Sequence, residues 1–221
     1  MKYIIFDSGP LINFSMNGLL PLFRKLRKEF SGKFLITPEV KKEIIEHPKT
    51  IKRFWLGALQ LKQLFDEKII ELPDLTARQK EELEKKKREL LNIANNTFYT
   101  KHRALHLIDK GEAATLALSS ILKDPNVIAV DERTTRILCE NPENLRKLLE
   151  KKLHTNVKAN KNNYSYFQGF KVIRSTELIY IAYKKKLNEL KSPNVLEAML
   201  YGVKYKGCSV SESEIKEIIR L

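Results

Sequence analysis

Bulky apolar residues recur along the chain in short runs, at 2–6 (KYIIF), 34–37 (FLIT), 69–72 (IIEL), 127–130 (VIAV) and 171–174 (KVIR). Runs of this length, rich in Ile, Val and Phe, have the composition of buried strands. Between them the apolar positions change to helical spacing. Leu19, Leu20, Leu22, Phe23 and Leu26 mark a helix within 10–29, and Thr37 with Pro38 supplies a cap and a first-turn proline for a helix over 38–47. Phe54, Leu61, Leu64 and Phe65 mark another over 52–65, and 110–122 (KGEAATLALSSIL) is rich in helix formers. Residues 133–140 and 176–190 also read as helices, and the tail opens on a capping-box pair, Ser211 and Glu214. Strands alternating with helices predict an α/β fold whose parallel sheet is covered on both faces.

Two stretches break the alternation. Residues 76–105 continue from a Thr cap as a charged helix whose Leu83, Leu90 and Leu91 form a thin apolar stripe, the pattern of a protruding, solvated arm. Residues 151–170 carry Lys151, Lys152, Lys158 and Lys161, no acid, and the aromatics Tyr164, Tyr166 and Phe167. Cations interleaved with rings suit single-stranded nucleic acid, while a plain surface loop has the same composition. With no repeat and no linker between them, residues 1–221 read as one domain with an insertion at 76–105 and another at 151–170.

Composition narrows the setting. Cys139 and Cys208 are far apart and lack CxxC spacing, which argues against a disulfide framework or a thiolate zinc site and for a reducing, cytoplasmic compartment. No apolar run approaches the roughly 18 residues of a membrane span, and the N-terminus lacks signal-peptide regions. Forty-one Lys and Arg against 27 Asp and Glu give a net charge of +14, which favours a polyanionic partner, RNA or DNA, through counterion release.

Acids stand at suggestive places in this pattern. Asp7 follows the first strand and Asp131 the fourth; Glu112 opens the small-residue helix KGEAATLALSS; Glu43 lies beside the core-facing Val40 and Ile44. Each alone could be a helix cap or a first-turn acid. Four together at one sheet edge need a positive charge among them, and carboxylate oxygens suit Mg²⁺ or Mn²⁺.

These pieces resemble the PIN domain, a family of metal-dependent ribonucleases. FDSGPLI, TPEVKKEI, DKGEAATLALSS, VIAVDERTTR and KVIRSTELIYIAYKKKL match its motifs in order, and LEAMLYGVKYKGCSVSESEIKEII is similar to its last helices. The resemblance implies a five-stranded parallel sheet in the order 3-2-1-4-5, flanked by helices. It implies Asp7, Glu112 and Asp131 as metal ligands, Glu43 as an assisting acid, Ser8 as the hydroxyl beside the first acid, and Arg136 as a basic position. Glu132 competes with Asp131 for the fourth place, and Glu46 competes less well with Glu43. The implied activity is hydrolysis of single-stranded or structured RNA with Mg²⁺ or Mn²⁺, with an antitoxin, another protein or a second copy as open partners.

Other classes lack their motifs. A haloacid-dehalogenase-like phosphatase needs an acid where Gly9 stands, and neither a GxxxxGK[ST] loop nor a GxSxG elbow occurs. His102 and His106 share helical spacing without an HExxH acid between them and read as basic surface. The remaining competitor is an RNA-binding module of the same fold that does not cut.

Overall fold

A computed structural model of the protein describes residues 2–101 and 103–221, so His102 lies outside the described residues. The chain begins with β1 (Tyr3–Phe6), continues through α1 (Ser8–Met16) and α2 (Leu20–Glu29), and returns as β2 (Lys33–Leu35). Then α3 (Pro38–Lys41) runs into a π-helical turn (Lys42–Glu46), followed by a 3-10 turn (Pro48–Thr50) and α4 (Trp55–Asp66). Next come α5 (Ala77–Asn95), β3 (Phe98–Tyr99), α6 (Lys110–Ile121), β4 (Asn126–Ala129), α7 (Arg133–Glu140) and α8 (Pro142–Leu153). After β5 (Lys158–Ala159) and a 3-10 turn (Lys161–Phe167), the chain ends through β6 (Val172–Ile173), α9 (Ser175–Lys184), α10 (Val195–Tyr205) and α11 (Glu212–Arg220). The helix expected over 10–29 is two helices, because Gly18 takes a left-handed φ of 67° between them.

The sheet is parallel, in the order β2-β1-β4-β6, and helices cover both faces. Alternation along β1 divides the core in two. Ile4 and Phe6 pack with Phe14, Phe23, Phe34, Ile179 and Leu200 on one face. Ile5 packs with Leu90, Ala113, Ala117, Ile128 and Leu138 on the other. On the first face Phe23 lies 5.1–5.2 Å, ring centre to ring centre, from Phe6, Phe14 and Phe34. Such pairs add directional contacts to the burial itself.

The run at 69–72 does not form a ladder of its own. Glu71 makes a single parallel bridge to Leu35, its N–H donating to the Phe34 carbonyl and its carbonyl accepting from Ile36. Pro73, two residues on, has no N–H with which to extend the pairing.

The stretch at 76–105 departs from a solvated arm. Thr76 and Gln79 cap α5 reciprocally, and Leu83, Leu90 and Ala94 are buried against α6. The thin stripe suffices because α6 offers Ala113 and Ala117 and so lets the two helices approach closely. The stretches at 76–105 and 151–170 also join each other: β3 pairs antiparallel with β5, Phe98 opposite Ala159 and Tyr99 opposite Lys158. No helix among the described residues is long and apolar enough to cross a membrane.

Candidate active site at the carboxyl edge of the sheet

Asp7 is the residue that ends β1 and precedes α1. Its backbone is extended (φ −75°, ψ 169°) and its side chain makes no capping hydrogen bond to the helix. Only 6% of it is exposed. Burial raises its pKa well above the ordinary carboxylate value, and the charges of Glu112, Glu43 and Asp109 raise it further, against the Ser8 amide.

Glu112 is presented by the first turn of α6. Its Oε2 accepts from the Asp109 N–H at 2.8 Å while the Asp109 carboxylate accepts from the Glu112 N–H at 2.9 Å. Its Oε1 accepts the Thr135 hydroxyl. Burial outweighs these bonds and pushes its pKa up to about 7.

Glu43 comes from the π-helical turn. Its Oε1 accepts the Ser8 hydroxyl at 3.0 Å, and burial raises its pKa too. A β-carbon at Gly111 would lie 3.2 Å from Glu43 Oε2, so glycine there lets the acid reach α6. Val40 and Ile44 are buried behind it, and Glu46 is exposed outside the pocket.

Asp131 occupies the matching place after β4 but is differently engaged. Its Oδ1 accepts the Ser175 N–H at 2.8 Å; its Oδ2 accepts the Ser175 hydroxyl at 2.6 Å and the Asn13 amide at 2.5 Å. Burial, together with the Asp131 charge, raises the pKa of the neighbouring Cys208 thiol. A carboxylate has about four lone-pair sites, and the three donors from α1 and α9 occupy most of them. Its neighbour Glu132 is exposed; one of its oxygens caps α7 through the Thr135 N–H at 2.8 Å, which leaves the other free.

Together these residues line one pocket of about 350 Å³, completed by Gly9, Ile12, Asn13, Asp109, Lys206 and Gly207. Apart from Lys206, the polar side chains of the lining offer carboxylate, amide and hydroxyl oxygen, the donor set of a hard divalent cation. Among the described residues no three potential ligands stand close enough to enclose one ion. Mg²⁺ keeps several of its waters and is held by one or two carboxylates, so its chemistry fits an open ring of this kind.

The other expected residues lie elsewhere. Arg136 turns to Glu140 at 3.1 Å and lines no part of the pocket. Lys151 and Lys152 sit exposed in the last turn of α8, Lys158 in β5, and Lys161 4.0 Å from Glu143. Tyr164 packs on Phe98 with ring centres 5.9 Å apart and donates its hydroxyl to Glu143 at 3.1 Å, so its ring is occupied in the fold. Tyr166 is exposed, with the Lys86 ammonium 5.7 Å from its ring. It borders a second depression with Ser119, Ser120, Asn126 and Lys171. That depression lies at the far end of α6, a helix about 18 Å long, from Glu112. Tyr166 and Glu112 are therefore at opposite ends of α6.

Sequence reasoning missed Asn13, Asp109 and Lys206. The Asp109-to-Glu112 spacing carries a readable capping signal; Lys206 carries none locally. Compared with protein-family models, with curated proteins and with solved structures, the chain gives no match in any of the three.

Proposed function

We propose that this chain is a metal-dependent endoribonuclease of the PIN type. The observation that carries the reading is Asp7: a buried carboxylate whose pocket holds Glu112, Glu43 and Asp109 and, among the described residues, no cation but Lys206. Burial without a partner strongly disfavours ionisation, and a divalent cation is the ligand that relieves it. The motif order and the +14 charge support RNA as the substrate. The Leu35–Glu71 bridge supports the five-strand order 3-2-1-4-5.

In this reading Asp7 and Glu112 would hold Mg²⁺ or Mn²⁺, with Glu132 at the rim, and Asp131 positions the strand ends. When bound, the ion polarises the phosphodiester and acidifies water. Glu43 accepts the proton of the attacking water at Oε2, the oxygen that Ser8 leaves free, and its raised pKa makes it a better base. Ser8 orients that carboxylate. Lys206, the one cation in the lining among the described residues, faces the phosphate.

The experiment is cleavage of a labelled single-stranded RNA in Mn²⁺, Mg²⁺ and EDTA by the wild type, Asp7→Asn and Glu112→Gln. Metal-dependent cleavage lost in both variants is expected. Full activity in Asp7→Asn overturns the assignment, and RNA binding with no cleavage in any divalent metal leaves a silent binding module.

A further inference from the structure

The end of α10 reads YGVKYK, two tyrosines and two lysines, of which Lys206 lines the pocket together with Gly207. Tyr201 and Tyr205, one helical turn apart, lie nearly parallel, with centroids 6.0 Å apart and planes at 22°. The Lys204 ammonium stands 5.4 Å from each ring and is held by Glu212 at 3.1 Å. Tyr205 is 74% exposed, so most of its ring lies in water although it is already stacked on one side. The next residue, Lys206, is the only cation lining the acid pocket among the described residues.

This corner is held firmly. Gly207 takes a φ of 117° and reverses the chain, which only glycine does without strain. Its N–H donates to Lys204 and that of Cys208 to Val203, the paired bonds of a Schellman cap. Ser209 then donates its N–H to the Asp131 carbonyl at 3.0 Å. The helix end is thus tied to the strand end that borders the acids.

We propose that Tyr205, backed by Tyr201, and Lys206 form a nucleotide subsite of the acid pocket. A base of single-stranded RNA stacks on Tyr205 while Lys206 takes the adjoining phosphate. The assignment rests on the RNA reading above and extends it to the substrate's path. The acids repel a phosphate, and Lys206 supplies the local counter-charge that lets one approach. A preformed aromatic shelf accepts any unpaired base, since every base has a π-face, whereas a duplex keeps its bases inside its own stack.

The test is binding of a short labelled RNA, single-stranded and as a duplex, to the cleavage-deficient Asp7→Asn protein with Tyr205→Ala, Tyr205→Phe, Lys206→Ala or Lys206→Arg added. Tyr205→Ala should weaken the single strand roughly 5- to 100-fold and the duplex much less, and Tyr205→Phe should keep the affinity. An abasic site walked along the RNA should reveal one position at which Tyr205→Ala has no further effect. Lys206→Ala should weaken both forms and lower the salt slope by about one, with Lys206→Arg restoring it. Equal affinity of Tyr205→Ala and its parent, or equal losses on single strand and duplex, overturns the stacking role and leaves the rings facing a protein. A wild type that cleaves no RNA in any metal ends the nuclease reading alone, because the binding comparison decides the subsite without turnover.

Discussion

Ser175 grips Asp131 twice, through its backbone N–H at 2.8 Å and its hydroxyl at 2.6 Å. This makes the acid after β4 a clasp between β4 and the start of α9, with Asn13 adding α1. Asp131→Asn puts an amide N–H₂ among donors and leaves at least one buried polar group unmatched. A loss of roughly 1–3 kcal/mol is expected, seen as a lower denaturation midpoint. Glu132→Gln should leave stability nearly unchanged while reducing metal-dependent cleavage. Asp131→Asn melting like the wild type would remove the clasp.

Asp7→Asn should act in the opposite direction on stability. The raised pKa of Asp7 means that the folded state disfavours its charge, so stability falls as pH rises above the ordinary carboxylate range. In EDTA the variant should melt higher than the wild type, by more at pH 8 than at pH 5. Mn²⁺ should stabilise the wild type and not the variant. A variant that melts lower in EDTA at pH 8 contradicts the crowding of charge around Asp7.

Glu112 sets a defined pH window. Its folded pKa of about 7 lies above the ordinary 4.5, so the folded acid holds a proton that the unfolded chain has already released. The Glu112 contribution to metal-free stability should therefore decline between about pH 4.5 and 7 and level off above. Glu112→Gln removes this decline, and the Thr135 hydroxyl can reverse to accept from the new amide. The check is the difference in melting temperature between the two proteins from pH 4 to 8; a difference that stays flat refutes it.

Arg174 ties the last helices together, its guanidinium bonding Glu177 and Glu214, each at 2.7 Å, and the Ser209 carbonyl at 3.1 Å. Arg174→Met should cost about 2 kcal/mol, less than a fully buried pair because both acids keep about a third of their surface in water, lowering Tm by roughly 4–8 °C. Glu214 is held at a pKa of about 2, chiefly by the Ser211 bonds and Arg174 against its own burial. Its contribution is present above about pH 4.5 and lost as pH falls toward 2. Urea midpoints at pH 7 and pH 3 measure both effects; a variant as stable as the wild type at pH 7 rules out the tie.

What could be read in the sequence was what depends on neighbours along the chain. Tyr3–Phe6 ends on Asp7 as its apolar run predicts, and Glu112 opens its helix as the small residues around it predict. The misreadings came from contacts between distant segments. Leu83 and Leu90 look like a solvated stripe until Ala113 and Ala117 arrive to cover them. Tyr164 reads as a free ring until Phe98, brought in by β3, packs on it. Lys206 reaches the acids only because Ser209, three residues later, bonds Asp131 across the fold.

The π-helical turn at Lys42–Glu46 makes the reach of Glu43 a matter of chain length. A π turn is an α-helix carrying one surplus residue, and it widens the coil so that Glu43 meets Ser8 while Ile44 and Ile45 both stay buried. Deleting a single residue there would restore ordinary pitch and rotate all that follows by about 100° relative to β2. The core on that side could be refilled by other apolar residues. The Glu43 register could not, so this segment should tolerate substitutions at Lys42 and Glu46 far better than any change in its number of residues.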